Sequence, residues 1–327
     1  MHAVVVTAWG GPEVLQWMDW PEPAVGPDDV LIRVQTTSVN FADVKARYGQ
    51  YHGAGKPPFV PGLDVAGVVE AVGEQVEGVA PGMRVVAFPR GGSYAERVVA
   101  PKELVYPIPD ALDWAPAAGI PTVGFTAYQL LATVARITPG ESVLIHSAAG
   151  GVGTTAIQIA RLLGARFIIG TVGDDAKRPV AEEAGADLVV NYRQTSFSEA
   201  VKAATDGHGV DVILDAVGGP VAEESLTCLA PFGRLVHFGD ASGEVGRIRV
   251  SDLHASCRAV LGYSLGTARR ARPASIRPAA DHVLQWLQEG RLRVMITREY
   301  PLPEAAAAHQ WMESRQSVGK IILRATP

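Results

Sequence analysis

Short apolar runs that alternate with polar positions fill the first third of the chain. "HAVVVTAW" (2–9), "DVLIRVQTTSV" (29–39), "AGVVEAVG" (66–73) and "RVVAFP" (84–89) read as strands. The segments "GGPE", "GPDD", "PG" and "RGG" bound them as turns. This spacing predicts a compact, mostly β domain of about 115 residues. The pattern then changes. "SVLIHS" (142–147) has the continuous apolar character of a buried strand, and "TTAIQIARLLG" (154–164) has helical spacing that stops at a glycine. "ARFIIGTV" (165–172), "LVVNY" (188–192), "GVDVILDAVG" (209–218) and "GRLVHFG" (233–239) are further strands with helical text between them. One of those helices, "AKRPVAEEAGA" (176–186), must keep Pro179 in its first turn. Strand–helix alternation at this spacing predicts βαβ units around a parallel sheet. The last segment predicts an amphipathic helix over 278–290, a strand "VMITREYPL", a second helix "LPEAAAAHQWMESR" and a final strand "GKIILR".

The junction "LIHSAAGGVG" (144–153) is the most informative stretch. Ala148, Gly150 and Gly153 occupy the three small positions of a G-x-G-x-x-G dinucleotide fingerprint, between a strand and a helix. Gly150 would let backbone approach a pyrophosphate, and Gly153 would let the helix pack close to the strand. The backbone of Ala149, Gly150, Gly151, Val152 and Gly153 would then offer phosphates free N–H groups and the positive end of a helix dipole. NAD sites place an acid at the end of the second strand, but Gly170 and Thr171 stand there. Asp174 and Asp175 come later, beside Lys177 and Arg178, an arrangement suited to the 2′-phosphate of NADPH.

Composition narrows the classes. The 327 residues are enough for about two domains. A net charge of −5 without a basic block argues against a nucleic-acid or anionic-membrane partner. The sequence shows no secretory leader and no apolar run long enough for a membrane span, so a cytoplasmic protein is expected. The two cysteines, Cys228 and Cys257, are expected to pack as small apolar residues, and the scattered histidines offer no metal-ligand spacing.

Taken together, "GGPEVL" (10–15), "SVNFADV" (38–44), "PGLDVAGVVEAVG" (61–73), "GMRVV" (82–86), "HSAAGGVG" (146–153), "GTVGDDAK" (170–177), and "ESR" followed by "GKIIL" (313–323) resemble the zinc-independent quinone oxidoreductases of the medium-chain dehydrogenase/reductase superfamily. The resemblance implies an α/β chain: a GroES-like, mostly β catalytic domain over 1–117 and 264–327, and a Rossmann doubly wound parallel-sheet domain over 118–263. It implies NADPH as cofactor, with Lys177, Tyr192 and Arg315 on the 2′-phosphate, Ser242 as a further phosphate-side contact, and Thr126 at the nicotinamide amide. The loops "HFGDASG" (237–243), which contains Phe238, and "VLGYSLG" (260–266) would flank the nicotinamide.

The metal positions of the related zinc alcohol dehydrogenases correspond here to Asn40, Leu63-Asp64 and the vicinity of Val123, so a metal-free site is expected. Asn40 would donate its amide to the acceptor oxygen, and Asp43 would fix the loop. Tyr51 matches a tyrosine proposed as proton donor in related enoyl reductases. Asp64 is expected to be a turn anchor, and His52 an exposed loop residue. Arg269, Arg270 and Arg272 could attract an anionic substrate or a thioester carrier but are expected to form a solvated loop. The expected activity is NADPH-dependent reduction of a quinone. The alternatives are enoyl or 2-alkenal C=C reduction with the same cofactor, and a non-catalytic NADPH-binding protein. A homodimer joined through the sheet edge near residue 260 is a further implication of the resemblance.

Overall fold

The computed structural model describes residues 1–51 and 55–325. The chain divides into two compact units, residues 1–125 with 266–327, and residues 126–265. The first division falls inside a continuous helical run over 114–135, eight residues beyond the sequence expectation of 117/118. Its turns are widened at Pro121–Phe125 and Gln129–Ala135, and it ends at Arg136 in a left-handed conformation.

The first unit is built on strands. β1 (His2–Val6) pairs with β2 (Leu15–Asp19). The main sheet then uses β3 (Asp29–Val39), β4 (Val65–Val72), β5 (Arg84–Ala87), β6 (Arg97–Pro101) and β7 (Val105–Pro107). The second unit supplies β8 (Ser142–Ile145), β9 (Phe167–Val172), β10 (Leu188–Asn191), β11 (Val210–Asp215), β12 (Leu229–His237) and β13 (Ala259–Gly262). The chain then returns to the first unit through β14 (Ile296–Pro301) and β15 (Lys320–Arg324). There the order is β14-β15-β3-β4-β5-β7, with β6 also paired to β3. β15 runs antiparallel to β3, placing Ile321 opposite Val39. The C-terminal stretch thereby completes the sheet begun by the N-terminal one.

Alternation makes this sheet. In β3, Val30, Ile32 and Val34 are buried among Val65, Val69, Val85 and Val98. A second apolar cluster joins Val4, Val6, Val39 and Tyr94 to Leu302, Ala305 and Ala308 of the C-terminal region. The helix Phe41–Arg47 follows β3 directly, a segment that the apolar pattern did not reveal.

The second unit is a six-stranded parallel sheet in the order β10-β9-β8-β11-β12-β13. Chain order reverses between β8 and β11, the topological switch point where open α/β sheets bind ligands beyond their strand C-termini. Its central strands are almost wholly apolar, as burial on both faces demands. The helix Gly151–Leu162 starts three residues earlier than the apolar period suggested, so the glycines themselves form its first turn. The "VLGYSLG" stretch also differs from the expected loop: β13 occupies its start, and the helix Leu265–Ala271 begins within it.

Candidate functional site

In the second unit, the glycine turn joins β8 to the helix Gly151–Leu162, with Gly150 as its N-cap. The amides of the first turn have no carbonyl four residues earlier to meet. A Cβ on Gly153 would stand 2.4 Å from the Ser147 carbonyl oxygen and 2.7 Å from Ala148 backbone. Gly153 is therefore required by helix–strand packing. Gly150 differs: a Cβ there would meet only the Ser147 oxygen, at 3.3 Å. Its bareness leaves open space above the turn, so the turn fits a dinucleotide pyrophosphate. Ala149 is buried behind that turn.

The structure corrects the reading of the second strand. β9 ends at Val172, as the apolar run over 165–172 predicts, so Gly170 and Thr171 lie within it rather than at its tip. A Cβ on Gly170 would lie 2.7 Å from the Ala148 methyl. The Thr171 hydroxyl is buried and bonded to His146 Nδ1 at 3.0 Å. Ser225 donates to the Val221 carbonyl, so His146 Nε2 carries the proton that reaches Ser225 Oγ at 2.9 Å. Burial pushes this imidazole down to about 4, and it is neutral. Beyond β9, Asp174 accepts from the Ala176 amide, and Asp175 pairs with Arg178 at 2.6 Å. Lys177 closes that same turn and is half-buried. Tyr192 follows β10, exposed, with its hydroxyl 2.6 Å from where a Gly173 Cβ would stand. Lys177 and Tyr192 thus border one turn, over 173–177.

At the C-terminal ends of β11 and β12 sits a pair that the sequence reading missed. His237 Nδ1 lies 2.8 Å from Asp215 Oδ2. Asp215 also accepts from the amides of Val217 and Gly218. That hydrogen bond raises the imidazole above its ordinary value, while the bonds from His237, Gly218 and Val217 outweigh burial and hold the carboxyl low. The loop after β12 carries Phe238, whose amide donates to the Asp215 carbonyl, and exposed Ser242, whose hydroxyl accepts from the Glu244 amide. Thr126 opens this unit and is buried.

In the first unit, Asn40, Asp43 and Asp64 are all buried. Asp64 is an anchor. Its Oδ1 accepts from Ser38 Oγ at 2.7 Å and Asn40 Nδ2 at 3.2 Å, and its Oδ2 accepts from the Thr122 amide at 3.1 Å. Gly62 makes that corner possible, with φ +105° and a Cβ position 2.3 Å from Ser93 Oγ. Asn40 Oδ1 accepts from the buried Lys320 ammonium at 2.8 Å. The Asn40 side chain is therefore held from both ends, by Asp64 and by Lys320. Burial, opposed by Asp64 and Asp43, lowers the Lys320 ammonium below its ordinary value.

Asp43 accepts from the Asn40 backbone amide at 2.8 Å, which fixes the start of the helix Phe41–Arg47. A relay runs away from its other side. Arg47, a donor only, contacts His309 Nδ1 at 3.2 Å, so His309 Nε2 carries the proton toward Tyr94 OH at 3.1 Å. Tyr94 OH in turn donates to Asp43 at 3.4 Å. Burial pushes His309 down to about 3 and Asp43 up to about 7. No sequence signal singled out Tyr94, His309 or Lys320.

Tyr51 is half-buried, and burial raises its phenol above the ordinary value. His52 lies outside the described residues. Arg315 is exposed, at φ +61°. The expected solvated arginine loop is instead the helix Leu265–Ala271. Its Arg269 guanidinium lies over the Phe88 ring, 4.5 Å from the centroid, while Arg270 and Arg272 are exposed. Of the cysteines, Cys228 is buried, with its thiol pushed up to about 12, but Cys257 is exposed at φ +52°, because it sits in a tight turn rather than in the core.

Residues 26–110 match the alcohol dehydrogenase GroES-like domain, and residues 184–323 match the family described as zinc-binding dehydrogenase. A quinone oxidoreductase from Pseudomonas aeruginosa is 36% identical, over 97% of both chains. A 2-haloacrylate reductase from a Burkholderia species is 35% identical, over 98% of both. The Escherichia coli quinone oxidoreductase complexed with NADPH superposes with a TM-score of 0.92, at 32% identity, covering 99% of this chain and 100% of that one. The two units are the GroES-like and Rossmann parts of a medium-chain dehydrogenase/reductase, an oxidoreductase class that uses a nicotinamide dinucleotide. Within that superfamily, the chain belongs to the quinone oxidoreductase family.

Proposed function

We propose that this protein is an NADPH-dependent oxidoreductase that reduces a quinone without a metal. The observation that carries the metal-free reading is the Asn40–Asp64–Lys320 cluster. Both Asp64 oxygens are already bonded, and a buried ammonium holds the Asn40 oxygen. A dication would have to displace those bonds against the Lys320 charge, so this donor set does not fit zinc. Among the described residues, no three His, Cys, Asp or Glu side chains converge on one point.

Bound NADPH would supply the reducing hydride. Ala149, Gly150, Gly151, Val152 and Gly153 would hold its pyrophosphate, with Gly170 and Thr171 supporting the turn from β9. Lys177, Tyr192, Ser242 and Arg315 would take the 2′-phosphate, and Thr126 and Phe238 the nicotinamide end. A quinone needs no strong Lewis acid, because its reduced anion is delocalised over the ring. The chain's own task is to position the acceptor, exclude water and offer donors. Asn40, fixed by Asp64 and Lys320, and Asp43, which fixes the following helix, form the floor of that site. Tyr51 stays protonated well above neutral pH and suits proton delivery, which favours a second reading, reduction of an activated C=C bond. The likeness to the 2-haloacrylate reductase supports that alternative. A homodimer through the free edge of β13 and a cytoplasmic setting complete the proposal. No helix among the described residues is long and apolar enough to cross a membrane.

The test is cofactor oxidation with a 1,4-quinone and a 2-alkenal in parallel, using NADPH and NADH, on parent and Lys177→Ala protein, with elemental analysis for zinc. Quinone turnover with an NADPH preference that collapses in the variant is expected. Zinc near one atom per chain, or equal use of both cofactors by the parent, would refute the assignment. Dominant alkenal turnover, abolished by Tyr51→Phe, would establish the second reading.

A further inference from the structure

Arg269 is an unusual cation. It is half-buried on the helix Leu265–Ala271, with its guanidinium stacked on the Phe88 ring. Its one hydrogen bond among the described residues runs from Nη2 to the Pro89 carbonyl oxygen, at 3.2 Å, and it has no ion pair there. A guanidinium carries five N–H donors, and a partly desolvated one without a carboxylate is costly unless something fills the vacancy. The carboxylates that it senses are Asp43 and Asp64, and both are committed elsewhere: Asp64 to Ser38, Asn40 and Thr122, Asp43 to Asn40 and Tyr94. Arg270 follows with a second positive charge. Tyr51 shares this field, since Arg269 and Arg270 both act on its phenol. Stacking on Phe88 and the Pro89 bond fix the plane of the fork, so its remaining edge is pre-organised for the two oxygens of one anion.

We infer that Arg269 anchors a carboxylate on the substrate, so that the preferred acceptors are unsaturated carbonyl compounds or quinones that carry an anionic oxygen group. This rests on the reductase reading above and names its substrate class. For an enone acid, two electrons and one proton arrive as hydride from NADPH, and one further proton comes from the phenol or from water. The C=C bond becomes CH–CH, NADPH becomes NADP⁺, and the carboxylate is unchanged.

The experiment compares 3-benzoylacrylate with its methyl ester, which share the reducible enone and differ by one charge. 1,4-Naphthoquinone-2-sulfonate and 1,4-naphthoquinone form the second pair. In the parent enzyme, kcat/KM is expected to favour the anionic member of each pair by about ten- to a hundredfold, with the preference shrinking as salt rises. In Arg269→Gln the ratio should fall about tenfold or more from the parent's, to the intrinsic reactivity ratio of each pair, and Arg269→Lys should restore part of it. A ratio near one in the parent, or a ratio unchanged in Arg269→Gln, overturns the inference while leaving the reductase reading in place. Calorimetric binding of the saturated acid 3-benzoylpropionate, against its methyl ester, needs no turnover. Acid-selective binding lost in Arg269→Gln, with no reduction of any acceptor, would support the anchor and reject the reductase reading. If Arg269→Gln fails to fold, the parent's charge ratio and Arg269→Lys decide the matter.

Discussion

At the scale of single residues, burial sets the charge of the groups around the candidate site. Asp43 is fully enclosed, and desolvation outweighs the Asn40 amide that stabilises its anion. Its folded-state value of about 7 lies above the ordinary 3.8, so between those limits the folded protein keeps a proton that the unfolded chain has released. Its contribution to stability is therefore greatest in acid and is lost as pH rises through about 7. Neutral, buried His146 and His309 act in the opposite sense, so the comparison must be between a variant and its parent. Asp43→Asn cannot titrate but can still accept from the Asn40 amide. Its stability relative to the parent should improve by ~3 kcal/mol between pH 4 and pH 8, read from urea unfolding. Parallel pH profiles for the two proteins would show that Asp43 titrates as an ordinary carboxylate.

At the scale of elements, the β8–helix junction separates two uses of glycine. Gly153 serves packing, and Gly150 leaves room for a ligand. Gly153→Ala should lower stability by ~2–3 kcal/mol, because its Cβ would press on backbone that cannot turn aside. Gly150→Ala should cost less than ~1 kcal/mol, since φ is −80° and the Ser147 oxygen need give only slightly. NADPH affinity should nevertheless fall about tenfold or more in Gly150→Ala. Thermal melts and cofactor titration of both variants check this. Intact affinity in Gly150→Ala would mean that the pyrophosphate lies elsewhere. This junction was legible in the sequence because strand, turn and helix are contiguous, and its glycine spacing follows from local geometry. The end of β9 at Val172 was legible too, but the pattern did not show that Gly170 and Thr171 are interior to the strand, where the first packs on Ala148 and the second bonds to His146.

At the scale of the molecule, each sheet must manage its edges. Among the described residues β13 pairs with β12 alone, and Gly262 at its end is exposed, with none of them within 4 Å of a Cβ built there. Gly262→Lys should therefore still fold but convert the proposed dimer to monomer, measured by light scattering. An unaltered mass would remove this edge from the proposed interface. The first unit is closed differently, by its own C-terminal stretch, and that closure brings together the residues of the proposed floor. Lys320 reaches Asn40 across 280 positions of sequence, and His309 reaches Arg47 across 262.

The sequence by itself determined the alternation of a strand-rich part with βαβ units, the glycine turn, the cation-bearing stretch after the second βαβ strand, and the residue types at Asn40 and Asp64. Periodicity and turn chemistry act between near neighbours, so the text carries them. Tertiary structure alone decided that Lys320 fills a position facing Asn40, that Tyr94 and His309 connect Asp43 to Arg47, that Thr171 serves His146, and that Arg269 lies on Phe88 rather than in solvent. Those contacts join segments brought together only by sheet closure and burial, and the charge of a buried group depends on partners that no local pattern records.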